Sequence, residues 1–357
     1  MALDPVAMRR DFPYLDQRLY LNTASTGIGR LGSGQDVARF FEKMYSRGYD
    51  GAAEWRAIAG AVRARVARLA HVKADDVGFA ASTTEALNLI AHSLPVTRGD
   101  RVVLMADEFP SVRAAADILA ARGATLVELQ VVDEITRTAV LADAASGARY
   151  VLASHVHWEA GTKVDLAALK TACGAGALLV VDGIQALGGT DVDAGHADAY
   201  VASVFKWLIS GFGLAIAITS PALREVLEPV FRGYANPAPS RALAYSHANY
   251  PGLATLDGSL AYMEEIGWAA IFERNRELVA RLREKLTGFD IATPPGAAGS
   301  ILSLRLPDPA AVAMRLSQAG ASVEARGVHL RVSPHFYNDE TDIDRFAELM
   351  LQTTRGN

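Results

Sequence analysis

A lysine stands inside an apolar run of the sequence, AYVASVFKWLISGFGLAIAIT, which covers residues 199–219. Lys206 has Phe205 before it and Trp207 after it. An ammonium group among aromatic side chains loses hydration, so its neutral amine becomes easier to reach. Such an amine is the nucleophile that forms a Schiff base with a carbonyl group. The run therefore predicts a reactive amine, and a lysine that extends from a turn to the surface is the alternative for this residue taken alone.

An aspartate ends a second apolar run, ALLVVDG (177–183). A carboxylate that follows five apolar residues is unfavourable to bury unless it meets a cation. Gln185 follows Asp182 by three residues. Asp182 is therefore a candidate partner for a positively charged group, and capping of a turn or helix is the alternative for this residue taken alone.

A helix start follows a third run, VGFAA (77–81), in the segment STTEALNL. Ser82 and Glu85 have the spacing of a capping box, which predicts that a helix begins here. The free backbone N–H groups of a helix N-terminus bind phosphate, and Thr83 and Thr84 add hydroxyl groups. We therefore predict a phosphate site at this position, with capping alone as the alternative.

Short apolar runs alternate with helical patterns between about residue 60 and residue 220. Such alternation predicts an α/β fold with a mostly parallel sheet covered by helices on both faces. Ligands bind outside the carboxyl ends of the strands in these sheets, and Asp182, Ser203 and Lys206 follow strand-like runs. The runs are VVLMA (102–106), TLVELQVV (125–132), YVLASHV (150–156), ALLVVDG (177–183), AYVAS (199–203) and GLAIAIT (213–219).

The character of the sequence changes after this region. The stretch 231–252 is rich in Pro, Gly and Ser, which predicts an irregular connection or an active-site loop. A long helical segment follows at about 253–287, and later strand-like and helical runs indicate a small α+β domain. We predict three parts: an N-terminal segment, 1–45, that packs with the small domain, a large domain, 46–252, and a small C-terminal domain, 253–357.

Composition argues against several classes of partner. The 357 residues carry a formal net charge of −5 and no Lys/Arg cluster interleaved with aromatics, so we expect no nucleic-acid partner. No stretch reaches about 18 uninterrupted apolar residues, so we expect no membrane span. Cys173 is the only cysteine, which excludes an internal disulfide and favours a reducing, cytoplasmic setting. His155 and His157 lie on one segment and His329 on another, with no carboxylate at ligand spacing, and we expect no metal site.

The order of six segments resembles the class V aminotransferase group of fold-type I enzymes that use pyridoxal 5'-phosphate (PLP). The segments are STTEALNL, DEFPS, SHVHWEAGT, VVDGIQALG, SVFKW and LRVSPHFYN. Cysteine desulfurases, kynureninases and isopenicillin-N-epimerase-like proteins belong to that group. The resemblance runs from about residue 10 to the C-terminus and is most specific from Asp182 to Lys206. It implies PLP as cofactor, a small amino acid as substrate, and a homodimer with its active site at the subunit interface.

The resemblance also implies roles for individual residues. Lys206 would hold PLP as a Schiff base, and Asp182 would pair with the pyridine nitrogen. Once a substrate is joined to PLP as an external aldimine, Lys206 would take its Cα proton. Arg331 would bind the substrate carboxylate, with a surface salt bridge as the alternative, and residues 22–26, which begin with Asn22, would form a loop near the substrate. The other implied cofactor contacts are Thr83, Thr84 and Ser203 at the phosphate, Gln185 at the phenolic oxygen, Phe109 stacked on the ring, Trp158 at a position that contacts the cofactor, and Asn249 or Tyr250 from the neighbouring subunit.

The reaction is less sharply specified than the cofactor. Desulfurases of the group carry a cysteine on a loop shortly before the arginine, and the corresponding stretch here, SVEARGVHLRVS (322–333), has none. Cys173 lies in a helical segment instead, where a small buried residue is expected. We therefore predict amino transfer, with Cβ or C–S bond lysis and epimerisation at Cα as alternatives. A non-catalytic relative with the same fold is the alternative from a different class.

Overall fold

A seven-stranded sheet forms the centre of the computed structural model, which describes residues 8–131, 133–236, 243–296 and 299–354. In the order β2-β8-β7-β6-β5-β3-β4, the neighbours from β7 to β4 are parallel, and β8 runs antiparallel to both of its neighbours. The predicted mostly parallel sheet is confirmed. Its strands are β2 (Val77–Ala80), β3 (Arg101–Met105), β4 (Thr125–Leu129), β5 (Tyr150–Ser154), β6 (Leu178–Asp182), β7 (Ala199–Ser203) and β8 (Ala215–Thr219).

The helices, numbered in chain order, cover both faces of this sheet or pack in the C-terminal part. They are α1 (Ser33–Arg47), α2 (Ala52–Leu69), α3 (Thr83–Ser93), α4 (Pro110–Ala121), α5 (Arg137–Ala145), α6 (Leu166–Cys173), α7 (Pro221–Val226), α8 (Tyr250–Ile266), α9 (Trp268–Lys285), α10 (Pro309–Gln318) and α11 (Glu340–Thr354). In the part of the chain that the structure describes, none of the helices is both long enough and apolar enough to cross a bilayer.

The inner strands β5, β7 and β8 are almost entirely apolar, and every residue in them is buried. In β5, Val151 and Ala153 pack in the cluster that contains α2, α5, α6 and α8, whereas Tyr150 and Leu152 pack with α3, α4 and α7. Alternate side chains of a strand point to opposite faces, so a strand covered on both sides has no polar face. The carboxyl ends of these strands therefore carry the first polar side chains that a ligand meets.

A smaller antiparallel sheet lies in the C-terminal part, in the order β12-β13-β10-β9. Its strands pack with α9, α10 and α11. A short N-terminal strand pairs with β11 in parallel and joins the same cluster. The strands are β1 (Leu19–Tyr20), β9 (Asp290–Ile291), β10 (Leu302–Arg305), β11 (Ala321–Ser322), β12 (Glu324–Arg326) and β13 (His329–Val332). The predicted boundaries at 45/46 and 252/253 stay predictions, and residues 1–7 and 355–357 lie outside the described residues.

The prediction of one long helix at about 253–287 is wrong. The structure has two helices, α8 and α9, separated at Gly267, whose φ is 99°. Glycine adopts this left-handed region without steric strain and commonly ends helices. The predicted loop at 231–252 contains neither helix nor strand up to residue 249 where it is described, and its residues 237–242 lie outside the described part.

Candidate active site

Lys206 and Asp182 line one cavity at the carboxyl edge of the central sheet. Asp182 is the last residue of β6, and Lys206 lies three residues after the end of β7. The cavity is narrow, with a volume of about 10 Å³. It is lined by Phe109, Ser154, Val156, Trp158, Asp182, Ile184, Gln185 and Lys206. Five predicted cofactor contacts are thus brought to one place, although they are spread over almost 100 positions of the sequence.

The pKa values of Lys206 and Asp182 are shifted in opposite directions. Lys206 is 8% exposed, and burial lowers the pKa of its amine, with further lowering by Arg331 and then Arg326, while Asp182 opposes the shift. Burial also raises the pKa of Asp182, against the Ile184 N–H, which donates to it at 2.9 Å, and the charge of Lys206. Burial disfavours the charged form of each group, so the neutral amine of Lys206 is more populated than in a lysine in water.

The hydroxyl groups of Thr83 and Ser203 meet where β7 ends and α3 begins. Ser82 caps α3 by accepting the Glu85 N–H at 3.0 Å, as predicted. The Thr83 N–H donates to Ser203 Oγ at 2.8 Å, and the Ser203 N–H donates to Thr83 Oγ1 at 2.7 Å. Thr84 Oγ1 lies 2.8 Å from a further hydroxyl on α4. Two of the predicted phosphate contacts, Thr83 and Ser203, thus meet at a helix N-terminus, a place suited to an anion, whereas Thr84 meets α4.

Aromatic and amide side chains form other parts of the cavity wall. Phe109 and Trp158 meet edge to face, with ring centroids 5.6 Å apart and an interplanar angle of 75°. Gln185 Nε2 donates to Ala24 O at 3.0 Å, and Gln185 Oε1 accepts from Trp207 Nε1 at 3.0 Å. An amide nitrogen carries a second N–H, so Gln185 keeps a donor for a ligand in the cavity.

Arg331 is 2% exposed and lies on β13 next to the cavity wall. Its Nη1 donates to Trp158 O at 2.7 Å and its Nη2 to Ser25 Oγ at 2.7 Å. Its Nε is buried without a hydrogen-bond partner in the described structure. Burial lowers the pKa of the guanidinium to about 10. A surface salt bridge is therefore not what this residue forms, and its unpaired N–H suits a carboxylate.

Residues 22–27, here called the N-terminal loop, pack against the lysine segment. The Gly27 N–H donates to Phe205 O at 2.9 Å, and a Cβ at Gly27 would overlap the Lys206 carbonyl oxygen. Asn22 Nδ2 donates to Glu324 Oε2 at 3.3 Å, and Asn22 Oδ1 is buried without a hydrogen-bond partner in the described structure. Asn22 thus lies beside the Arg331 side of the site, where an unpaired acceptor can meet a ligand.

Sequence reasoning missed Glu324, and it placed Ser25 only as one member of the loop near the substrate. The β12–β13 hairpin, residues 324–332, places Glu324 opposite Arg331 in register. Ser25 joins the two residues, because its Oγ accepts from Arg331 and lies 3.1 Å from Glu324 Oε2. The turn signal at Gly327, with alternate polar residues on each side, would have predicted this hairpin and paired the two charges.

Glu108 and Ser154 were also missed, although Glu108 follows the predicted strand VVLMA and Ser154 lies within the predicted strand YVLASHV. Glu108 precedes Phe109 in the segment DEFPS and is 8% exposed. Its Oε1 accepts the Ser154 N–H at 3.0 Å. Ser154 is the last residue of β5 and lines the cavity. A rule that examines every polar residue after a strand, and not only those with a known motif, would have found them.

Asn249 does not line the cavity. Its Oδ1 accepts the Gly252 N–H at 3.0 Å and so caps α8, and its Nδ2 donates to Gly213 O at 3.0 Å. Both halves of its amide are therefore used within this chain. A contact from Asn249 to the cofactor of a neighbouring subunit stays a prediction.

One cluster has the composition of a metal site. Ligand atoms of Asp107, Glu134 and His157 lie within 4.8 Å of one another. The buried guanidinium of Arg137 donates to Asp107 Oδ2 at 2.6 Å and to Glu134 Oε1 at 2.8 Å. A fixed cation already pairs with both carboxylates, so the cluster does not require a metal ion. The expectation that the protein uses no metal stays a prediction.

The residues present fit PLP. A buried amine, a carboxylate and an aromatic wall line one cavity, and hydroxyl groups stand at a nearby helix N-terminus. Buried polar atoms without partners, Arg331 Nε and Asn22 Oδ1, lie on the Arg331 side of the site. Cys173, by contrast, is buried in α6 with a raised pKa, which burial causes, and it does not line this cavity.

Comparisons with known proteins agree with this geometry. The profile of the family described as "Aminotransferase class-V" matches residues 33–346. Isopenicillin N epimerase of Amycolatopsis lactamdurans is 30% identical, over 82% of this chain and 84% of that protein. Kynureninase of Deinococcus radiodurans is 27% identical, over 89% of this chain and 85% of that protein. The apo cysteine desulfurase of Thermococcus onnurineus NA1 has the same fold, with a TM-score of 0.90, 21% identity and coverage of 100% of both chains. This chain belongs to the class V aminotransferase family of PLP-dependent enzymes.

Proposed function

We propose that this protein removes the Cα proton of a small amino acid and completes an amino transfer. PLP, when bound, supplies an electron sink that stabilises negative charge at Cα. The observation that carries the proposal is that Lys206 is the only amine among the residues that line the described cavity. A base with a lowered pKa is neutral at moderate pH and accepts a proton there.

The other residues of the site orient the reacting groups. Asp182 presents a carboxylate for the pyridine nitrogen. Arg331 offers its unpaired Nε–H, with a neighbouring Nη, to the substrate carboxylate as a fork. Trp158 O and Ser25 Oγ hold this fork in place, so it does not need to reorganise when substrate binds.

The described residues argue against two related reactions, epimerisation and desulfuration. Among the described residues that line the cavity, Lys206 is the only amine and Phe109 and Trp158 carry no base, which supports return of the proton from the same amine. This favours proton transfer on one face over epimerisation by two bases. The β12–β13 hairpin has no cysteine, and Cys173 is buried elsewhere, which argues against desulfuration through a persulfide.

The proposal is tested with purified, PLP-loaded protein and a panel of amino acids, with and without a 2-oxo acid acceptor. We expect an amino acid product that depends on the acceptor. Lys206→Ala should abolish both turnover and the absorbance band of the lysine-bound cofactor. The matched control is Lys163→Ala, because Lys163 is also partly buried but does not line this cavity. Wild-type protein that binds PLP but turns over no amino acid with any acceptor would refute the proposal.

Cβ or C–S bond lysis is the second candidate. The aromatic pair Phe109 and Trp158 favours it, and so does the similarity to a kynureninase. A lyase releases pyruvate or alanine without any acceptor, so the same assay distinguishes the two reactions. Turnover that occurs only with an acceptor would remove the lyase from consideration.

A homodimer in the cytoplasm is part of the proposal. Tyr45, Tyr49 and Tyr234 are 82%, 75% and 69% exposed in the single chain, and large aromatic side chains at the surface are typical of interfaces. Light scattering after size-exclusion chromatography measures the assembly, and a monomer of 38.0 kDa would contradict the dimer.

A further inference from the structure

Glu108 is a buried carboxyl group that the proposed reaction does not use. It lies between β3 and α4, and both of its oxygens meet one residue, Ser154. Oε1 accepts the Ser154 N–H at 3.0 Å, and Oε2 lies 2.5 Å from Ser154 Oγ. Ser154 is the in-register neighbour of Asp182 across β5 and β6, and both line the cavity. Ser154 thus stands between Glu108 and the wall that is predicted to hold the cofactor ring.

Two carboxyl groups therefore share a region from which water is largely excluded. Burial raises the pKa of Glu108 to about 7, and the charge of Asp182 on β6 adds to the shift. The hydrogen bonds from Ser154 on β5 and the charge of Arg137 on α5 oppose it. Arg137 is itself bound to Asp107 and Glu134, so it does not neutralise Glu108 fully. Two negative charges in such a region disfavour each other, and their protonation is coupled.

The hydroxyl group of Ser154 connects the protonation state of Glu108 to the cavity. When Glu108 is ionised, it is only an acceptor, and the Ser154 hydroxyl must donate to it. When Glu108 is neutral, its own proton is donated to Ser154 Oγ, and the Ser154 hydrogen is free to turn toward the cavity. The hydrogen-bond distance is the same in both cases, and only the direction of donation changes.

We propose that Glu108 is a positioning residue whose protonation state decides, through Ser154, whether a hydroxyl donor faces the cavity beside Asp182. Neutral Glu108 supplies this donor and leaves Asp182 as the ionised carboxylate that faces the pyridine nitrogen. Ionised Glu108 withdraws the donor and adds a second negative charge. The proton comes from solvent and returns to it, and no covalent bond to the substrate is involved. The inference rests on the predicted role of Asp182 toward PLP, and it does not depend on which reaction the enzyme catalyses.

The test is a pH titration of the absorbance of bound PLP, on both sides of neutrality and without any amino acid. In the wild type we expect two coupled proton steps, so that the curve is broader than that of one group. Glu108→Gln resembles the neutral carboxyl, because its amide donates to Ser154 Oγ and its carbonyl accepts the Ser154 N–H. We expect this variant to bind PLP and to titrate in one step. Identical curves for wild type and Glu108→Gln would overturn the proposal.

Two further measurements separate positioning from a merely structural role. Ser154→Ala should narrow the curve although Glu108 is still present, and a wild-type curve for this variant would refute the route through Ser154. Infrared spectra should show a protonated carboxyl group at neutral pH that is absent in Glu108→Gln, and a band unchanged in that variant would also refute the proposal. The matched control is Glu128→Gln on β4, which removes an exposed carboxyl bound to Arg113 and should titrate as wild type.

Discussion

Replacement of Arg331 by lysine tests how the site holds its substrate. Lysine keeps the positive charge but replaces a planar fork with a point charge. In the structure two N–H groups of the fork are already bound, to Trp158 O and Ser25 Oγ, each at 2.7 Å. Nε remains as the buried group without a partner. A lysine cannot keep these contacts and also bind a carboxylate through two parallel hydrogen bonds.

The size of the effect follows from the lost hydrogen bond. A hydrogen bond to a charged group contributes about 1.5–3 kcal/mol. Since 1.4 kcal/mol is about a factor of ten, the KM for the amino acid should rise roughly 10- to 150-fold. The affinity for PLP should change little, because Arg331 is predicted to contact the substrate and lysine keeps the charge near Lys206.

The assay measures kcat and KM for the best amino acid, with PLP affinity measured separately. The matched control is Arg326→Lys on the same hairpin, because Arg326 is 44% exposed and pairs with Glu324 at 3.4 Å. We expect this control to alter KM by less than about threefold, as for other exposed ion pairs. If Arg331→Lys had the same KM as the control, the substrate carboxylate would have to bind elsewhere, and the reasoning from the unpaired Nε would be wrong.

Four other outcomes are expected. The rate of covalent attachment of PLP to the apoprotein should increase with pH and reach its plateau below the ordinary lysine pKa of 10.5, because burial lowers the pKa of Lys206. Stopped-flow absorbance measures this rate, and a plateau at pH 10.5 or above would contradict the prediction. Glu324→Gln should lower the KM for the amino acid about fivefold in steady-state kinetics, since the carboxylate opposite Arg331 repels the substrate carboxylate by about 1 kcal/mol. An increased KM would instead indicate that Glu324 binds the substrate. Phe109→Leu should raise the PLP dissociation constant roughly 2- to 10-fold in a fluorescence titration, because aromatic stacking contributes about 0.5–1.5 kcal/mol. An unchanged affinity would show that Phe109 does not contact the ring. Cys173→Ala should retain wild-type activity, since the thiol is buried in α6, and loss of turnover in a folded variant would return cysteine chemistry to the mechanism.

The sequence predicted the sheet because its strands are short, apolar and separated by helices. The run AYVAS coincides with β7, and ALLVVDG contains β6 with Asp182 at its end. Once the strands are in place, parallel pairing brings their carboxyl ends to one edge. Asp182 and Lys206 are therefore close together for a reason that can be stated without coordinates.

The antiparallel direction of β8 was harder to predict from the sequence. Only residues 204–214 connect β7 to β8, and the structure joins these strands as an antiparallel pair. A parallel connection requires a crossover of about a dozen residues or more, usually through a helix. The length of the connection argued for the antiparallel pair, but the apolar content of GLAIAIT resembles that of the parallel strands.

Other contacts of the site depend on side-chain choices that no spacing specifies. Gln185 is held by Ala24 and Trp207, and Asn249 caps α8. Both residues have more than one hydrogen-bonding group, and the sequence does not say which neighbour each group selects. The role of Glu108 was equally hard to predict, because it depends on the distance to Ser154. That distance is known only once β3 and β5 are seen to be adjacent.

The two parts of the site therefore differ in how the chain builds them. The predicted cofactor contacts other than Asn249 lie between Thr83 and Lys206, within one run of strands and helices whose ends converge by the rules of the fold. Ser25 and Arg331 are 306 positions apart and meet because β1 pairs with β11 and Asn22 bridges to Ser333. Residues 324–332 form a tight hairpin around Gly327, whose φ is 54°. A hairpin with Glu324 and Arg331 in register holds charges in a fixed place and offers no mobile nucleophile. Substitutions in this hairpin and the N-terminal loop should thus change which amino acid reacts, whereas substitutions along the sheet edge should change whether any does.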